Sequence, residues 1–180
     1  MLVHHFIIKR GILEKDIERE MNDLEQRPMS HSRTIITKLV LPPDANHLDT
    51  IFGGKVLAYI DEIAAITAMK HSNKAVVTAS IDSVDFLSSA TVGDVLELEA
   101  VVSSTGRTSM EVFVTVHSMD LLSGAKKLTT ESFLTMVAMD AENKPTPVPG
   151  VYPETDAEKR LFDTGPARRD HRKLRREIKH

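Results

Sequence analysis

Cysteine is absent from all 180 residues, which excludes a thiol nucleophile, disulfides and thiolate-held metals together. That absence suits a reducing compartment, so a cytoplasmic location is expected. Tryptophan is missing and aromatics amount to 4%, so the stacking platforms used on single-stranded nucleic acid are lacking. No run of 18 or more apolar residues occurs, which argues against a membrane-spanning helix. Neither sign of charge dominates: 23 Lys and Arg against 26 Asp and Glu leave −3. Such a balance gives no reason to expect nucleic acid as a partner. Hydrophobic residues make up 41%, ordinary for a globular protein. The length suits one domain with extensions and a real core.

The N-terminal stretch MLVHHFIIKRGILEKDIEREMNDLEQRPM starts apolar but is interrupted by His4, His5, Lys9 and Arg10. No small-residue cleavage site follows, which argues against a secretory signal. Residues 12–25 read as a charged helix without a strong apolar face, and residues 1–30 as a dispensable extension. Met21 is then a candidate natural start.

A core is expected from Arg33, where RTIITKLVL forms a first strand ended by Pro42-Pro43. A polar loop over 44–52 leads into a helix from Gly53 or Gly54 to about His71. Apolar residues cover much of its circumference, as in a helix wrapped by other elements. Four strands follow, over 75–87, 95–104, 107–119 and 126–140. Leu96, Leu98 and Ala100 alternate with Glu97 and Glu99, and Met110 to Val116 repeat the pattern. Short connections at Thr105-Gly106 and Ser123-Gly124 imply antiparallel hairpins. The expected class is α+β, with an antiparallel β-sheet wrapped around one long central helix in residues 31–141. Residues 142–180 begin with a Pro-rich arm, NKPTPVPGVYP, and continue as charged helices broken at Gly165-Pro166. Thr155 with Glu158 forms a capping box. The basic stretch ARRDHRKLRREIKH reads as a solvated helix, or one beside a phosphate-bearing ligand or neighbouring subunit.

Chemistry concentrates in NHLDTIFGGKVLAYID, residues 46–61. Two glycines opening a helix leave its first N–H groups bare, a site for an oxygen gaining negative charge. Asp61 follows in an apolar run, where burial pushes a carboxyl pKa upward and makes it a usable base. Ala64, Ala65 and Ala68 share its helical face and leave room for a ligand. Asp61 is equally suited to bonding a strand backbone or a Ser, Thr or Lys partner, and Asn46 to shaping a turn. His47 and His71 are expected at exposed loop and helix-end positions. The eight histidines show no pair at ligand spacing with acids, so no metal is expected.

Asn46, Gly53 seven residues on and Asp61 eight further resemble the active-site pattern of hotdog-fold acyl-CoA thioesterases. The stretches DANHLDTIFGGKVLAYIDEIAAITAMKHS, VVTASIDSVDFLSSATVGD and GRTSMEVFVTVHSMDLLSGAKKLTTESFLTMVAMD resemble the acyl-CoA hydrolases of the YciA and cytosolic brain-type group. The likeness runs from about residue 33 to 165, ending in VYPETDAEKRLF. It implies a hotdog fold, edge-to-edge dimers and a homohexamer built as a trimer of dimers. It also implies an active site between two subunits, with Asn46 and Gly53 of one facing Asp61 of the other. Hydrolysis of acyl-CoA to free CoA and a carboxylic acid is then the expected activity. Coenzyme A enters as part of substrate and product, and no separate cofactor is expected. Gly53 and Gly54 would supply the oxyanion donors, Asp61 the base or nucleophile, and Asn46 the orienting amide. By the same resemblance Thr78, Ala79 and Ser80 line the pantetheine arm, and Gly106, Arg107, Thr108 and Ser109 meet the nucleotide end. Arg107 suits a phosphate.

Many hotdog enzymes carry His immediately before the first glycine, and this chain has Phe52 there, as some YciA-like members do. Polarisation of the carbonyl then rests on backbone N–H groups and Asn46. An acyl-thioester dehydratase or hydratase would pair a His with the acid, so Phe52 counts against it. A non-catalytic acyl-CoA sensor would carry a DNA-binding domain, for which residues 1–30 are too short and acidic.

Overall fold

Alternating apolar residues in the middle of the chain become a sheet with one greasy face. The computed structural model describes residues 25–178. The stretch read as a helix over 12–25 (Glu25 apart), the signal reading and Met21 lie outside the described residues. The elements are β1 (Arg27–Pro28), α1 (Met29–Ser32), β2 (Thr34–Leu39), α2 (Gly53–Ser72), β3 (Ala75–Phe86) and β4 (Val95–Thr105). They continue with β5 (Ser109–Met119), β6 (Lys126–Met139), β7 (Val151–Tyr152), α3 (Asp156–Asp163) and α4 (Gly165–Glu177).

Five strands form one antiparallel sheet in the order β2-β4-β5-β6-β3. Leu96, Leu98, Ala100 and Val102 of β4 and Met110, Val112, Val114 and Val116 of β5 are all buried. They face α2, whose Ile60, Ile63, Ala64 and Ala68 are fully buried too. A glycine in a helix interior costs ~1 kcal/mol relative to Ala, and Gly53 and Gly54 stand only in the first turn. Burial of Ile60 and Ile63 outweighs this, at ~1.5–3 kcal/mol apiece. Asn73 ends α2 in the left-handed region at φ 55°, its N–H donating to the Met69 carbonyl at 2.8 Å.

The core begins earlier than Arg33. Met29 is fully buried, and β1 pairs in parallel with β7 of the Pro-rich arm. Val148 and Val151 of that arm are buried as well. His71 is also fully buried, not exposed at the helix end as expected. The arm covers it, and the Pro149 carbonyl accepts from its Nε2–H at 3.1 Å.

The basic C-terminal stretch is a helix solvated on one face and packed on the other. α4 packs on the outer face of the sheet, where Arg168 donates to Glu111 Oε1 at 2.7 Å and Arg172 to Asp82 Oδ2 at 2.7 Å. The reason is charge. Glu111 is buried within β5, and a buried carboxylate left without its partner costs ~3–5 kcal/mol. The capping box at α3 forms, with Thr155 Oγ1 accepting from the Glu158 N–H at 3.2 Å.

Candidate active site

Both ends of the candidate chemistry are set by α2. At its start, the loop folds around Asn46. The Asn46 N–H donates to the Thr50 carbonyl at 2.8 Å, and its Oδ1 accepts from the Leu48 N–H at 2.8 Å. Its Nδ2 donates to Thr50 Oγ1 at 3.0 Å. These bonds hold the amide in one orientation. Asp44 pairs with Lys55 at 3.0 Å and ties the loop to the first turn of α2. The Lys55 hydrogen bond holds the Asp44 carboxyl below its ordinary pKa, overcoming desolvation.

Phe52 precedes the helix in an extended conformation and its side chain makes no cap. The N–H groups of Lys55 and Val56 both turn back to the Phe52 carbonyl. Those of Gly53 and Gly54 find no acceptor among the described residues. A Cβ on Gly54 would stand 3.2 Å from the Phe52 ring, so the bare backbone keeps this end approachable. Beside Gly53 lies a cleft of about 370 Å³, lined mainly by Ile51, Val56, Phe86, Leu87, Ala90 and Leu96. Its walls suit an acyl chain.

Asp61 lies eight residues further along α2, or ~12 Å along the axis at 1.5 Å per residue. One carbonyl cannot touch both the Gly53 N–H and the Asp61 carboxylate of the same chain. Asp61 is half-buried, and its Oδ1 accepts from Thr78 Oγ1 at 2.6 Å. No other side chain among the described residues bonds that carboxylate. Thr78 stands on β3, the sheet's last strand, whose outer edge has no neighbour in the described chain. Around that edge Phe52, Ile66, Met69, Val77, Ile81 and Phe86 are exposed.

The other expected residues fall in two places. Met136 pairs with both Thr78 and Met110. The Gly106–Ser109 turn therefore lies two strands from Thr78, roughly 10 Å at the usual strand spacing. In that turn the Gly106 N–H donates to the Ser109 carbonyl at 2.7 Å, and Arg107 is exposed. Ala79 sits in a break of register, and Ser80 bonds Asp82 on the opposite face from Thr78. Sequence reasoning placed Thr78 beside a ligand and allowed Asp61 a Ser, Thr or Lys partner, but did not join the two residues. It also missed the acids Asp82 and Glu111, whose signal was a charge interrupting apolar strand text. Among the described residues no group of three or more His, Asp and Glu is placed to hold a metal, and no helix is long and apolar enough to cross a membrane.

The fold is that of the hotdog class of thioester hydrolases. The thioesterase superfamily model matches residues 48–125. The uncharacterized acyl-CoA thioester hydrolase YkhA of Bacillus subtilis (strain 168) is 45% identical over 156 residues, covering 87% of this chain and 91% of that protein. The chain belongs to the thioesterase superfamily, among its acyl-CoA thioester hydrolases. An apo-hexameric acyl-CoA thioesterase is 70% identical with a TM-score of 0.83, covering 84% of this chain and 97% of that one. The acyl-CoA hydrolase of Staphylococcus aureus, solved with butyryl coenzyme A and coenzyme A, is 50% identical with a TM-score of 0.82. That match covers 86% of this chain and 94% of the other. Forms of it with an Asn, an Asp or a Thr changed to Ala share the fold. Those positions are fifteen and seventeen residues apart, as are Asn46, Asp61 and Thr78 here.

Proposed function

We propose that this chain hydrolyses acyl-CoA to free CoA and a carboxylic acid in a site shared by two copies. The carrying observation is the Asp61 carboxylate, held by Thr78 at 2.6 Å and ~12 Å along its own helix from the unpaired Gly53 and Gly54 N–H groups. The exposed edge of β3 and the apolar residues around it support edge-to-edge pairing with a second copy. In that arrangement Asp61 of one chain meets Asn46 and the glycines of the other. Dimers assembling further into a hexamer, in the cytoplasm, complete the reading.

Asp61 takes a proton from water, and the water oxygen attacks the thioester carbon. The carbonyl oxygen becomes an oxyanion held by the Gly53 and Gly54 N–H groups and the positive end of α2. Asn46 orients the water or the carbonyl. Collapse breaks the C–S bond, and the departing thiolate receives the proton back from Asp61. Direct attack by the Asp61 carboxylate through an anhydride uses the same groups. The CoA arm follows the break in β3 at Thr78–Ser80 toward the Gly106–Ser109 turn, with Arg107 on a phosphate. The spacing shared with the altered Asn, Asp and Thr of the S. aureus enzyme supports these roles.

Free-thiol release from acyl-CoAs of increasing chain length tests the reading. Asp61→Ala should lose ~100-fold or more in kcat, the scale of a general base, while still binding CoA. Wild-type turnover in that variant would sink the assignment. Arg107→Ala should raise KM with little change in kcat, because a phosphate contact serves ground state and transition state alike.

A further inference from the structure

We propose that Arg172 and Arg175 of α4 are positioning residues for hydrolysis, fixing β3 in the one phase that turns Thr78 toward Asp61. The inference rests on the catalytic reading of Asp61 and Thr78 given above.

β3 does not alternate regularly. Thr78 pairs with Met136 but Ser80 pairs with Thr135, and Ile81 pairs with Leu134 but Ser83 with Phe133. Two residues of β3 are therefore extra, Ala79 and Asp82, and each marks a bulge. In an unbroken strand Thr78, Ser80 and Asp82 would share one face. The first bulge instead separates them. Thr78, opposite the buried Met136, faces α2, while Ser80, opposite Thr135, faces the outer side of the sheet.

α4 waits on that outer side. Arg172 Nη1 donates to Asp82 Oδ2 at 2.7 Å, and Arg175 Nη2 donates to Asp82 Oδ1 at 3.0 Å. Arg175 also donates to the Asp82 carbonyl at 3.0 Å and to Ser80 Oγ at 3.1 Å. Thr135 of the neighbouring strand bonds the same carboxylate at 2.8 Å. Both bulges are thus gripped at Ser80 and Asp82. The pairing is shielded, with 10% of the Arg172 side chain and 13% of Asp82 exposed. The helix itself is anchored by Arg168, which bonds Glu111 and lies 4.2 Å over the Phe133 ring.

Within its own chain β3 has a neighbour on one side only, so its register there rests on β6 and on whatever grips its faces. A slip of one residue at Ala79 would turn Thr78 away from Asp61. Misplacement of about 1 Å at a reacting group can cost ~100-fold in rate. Residues reaching the strand from its far side therefore bear on catalysis without touching substrate.

The test is a coupling experiment on the full chain. In Arg172→Gln/Arg175→Gln, kcat for acyl-CoA should fall ~10- to 100-fold with KM nearly constant and cooperative unfolding retained. The Lys/Lys variant should recover part of the loss. In a Thr78→Ala background the same Gln substitutions should have no further effect on kcat. Arg175→Gln alone, at a partly exposed position, gives the smaller version of the same result should the double variant not fold. An unchanged kcat, or an equal loss with and without Thr78, overturns the positioning role. Full activity of Asp61→Ala would instead bring down the catalytic reading, so the two failures are distinguishable.

Discussion

His71 lies in the last turn of α2 with its imidazole fully buried. Its Nε2–H donates to the Pro149 carbonyl, while Nδ1 has no partner. Burial lowers its pKa from the ordinary 6.5, only partly opposed by the Pro149 bond, and the charges of Arg27 and His31 lower it further. The fold therefore prefers the neutral ring. The unfolded chain binds a proton first as pH falls, so the contribution is full above about 6.5 and declines below it. Melting temperature should accordingly drop between pH 7 and pH 5.5 in wild type, and His71→Gln should flatten that slope. An unchanged slope would show that His71 does not set it. At this scale the candidate site could be proposed from sequence, because Asn46, Gly53 and Asp61 carry their chemistry in residue type and spacing. The place of His71 could not. Its burial comes from Pro149, 78 residues away, and a local reading of the helix end has no access to that.

Strands β4 and β5 were readable because apolar and polar residues alternate along most of their length and one face is buried throughout. β3 hides two changes of phase and β4 one, and no residue type announces a bulge. Which side chain of β3 faces Asp61 therefore depended on pairing with β6. α4 raises the same difficulty from the other direction, since its arginines look like a solvated surface until the acids they meet are known. Its seat is tight. A Cβ on Gly165 would lie 2.9 Å from Ser104 Cβ, an atom that cannot rotate away. Gly165→Ala should lower stability by ~1–3 kcal/mol, the usual cost of overpacking, read as a lower urea midpoint. An unchanged midpoint would mean that the helix shifts without cost.

For the whole molecule the decisive quantity is the length of α2 between donors and base. In the proposed dimer, two copies related by a two-fold axis would each lend one end of the helix to the other, giving two equivalent sites. Asn46→Ala and Asp61→Ala, each nearly inactive alone, should regain activity when unfolded together and reassembled. The mixed dimer combines both lesions in one site and leaves the other intact. No recovery after confirmed exchange of chains would place the site within a single chain.

The pairing of β1 with β7 bears on how the chain is made. Ser30 and Glu154, whose side chains bond across this junction, are 124 residues apart. At ribosomal speed that separation is on the order of ten seconds. The sheet is complete once Met139 has emerged, but the buried His71 meets its Pro149 partner only when the arm arrives. During synthesis one side of the nascent core stays open to water, and the Pro-rich arm is the piece that shuts it.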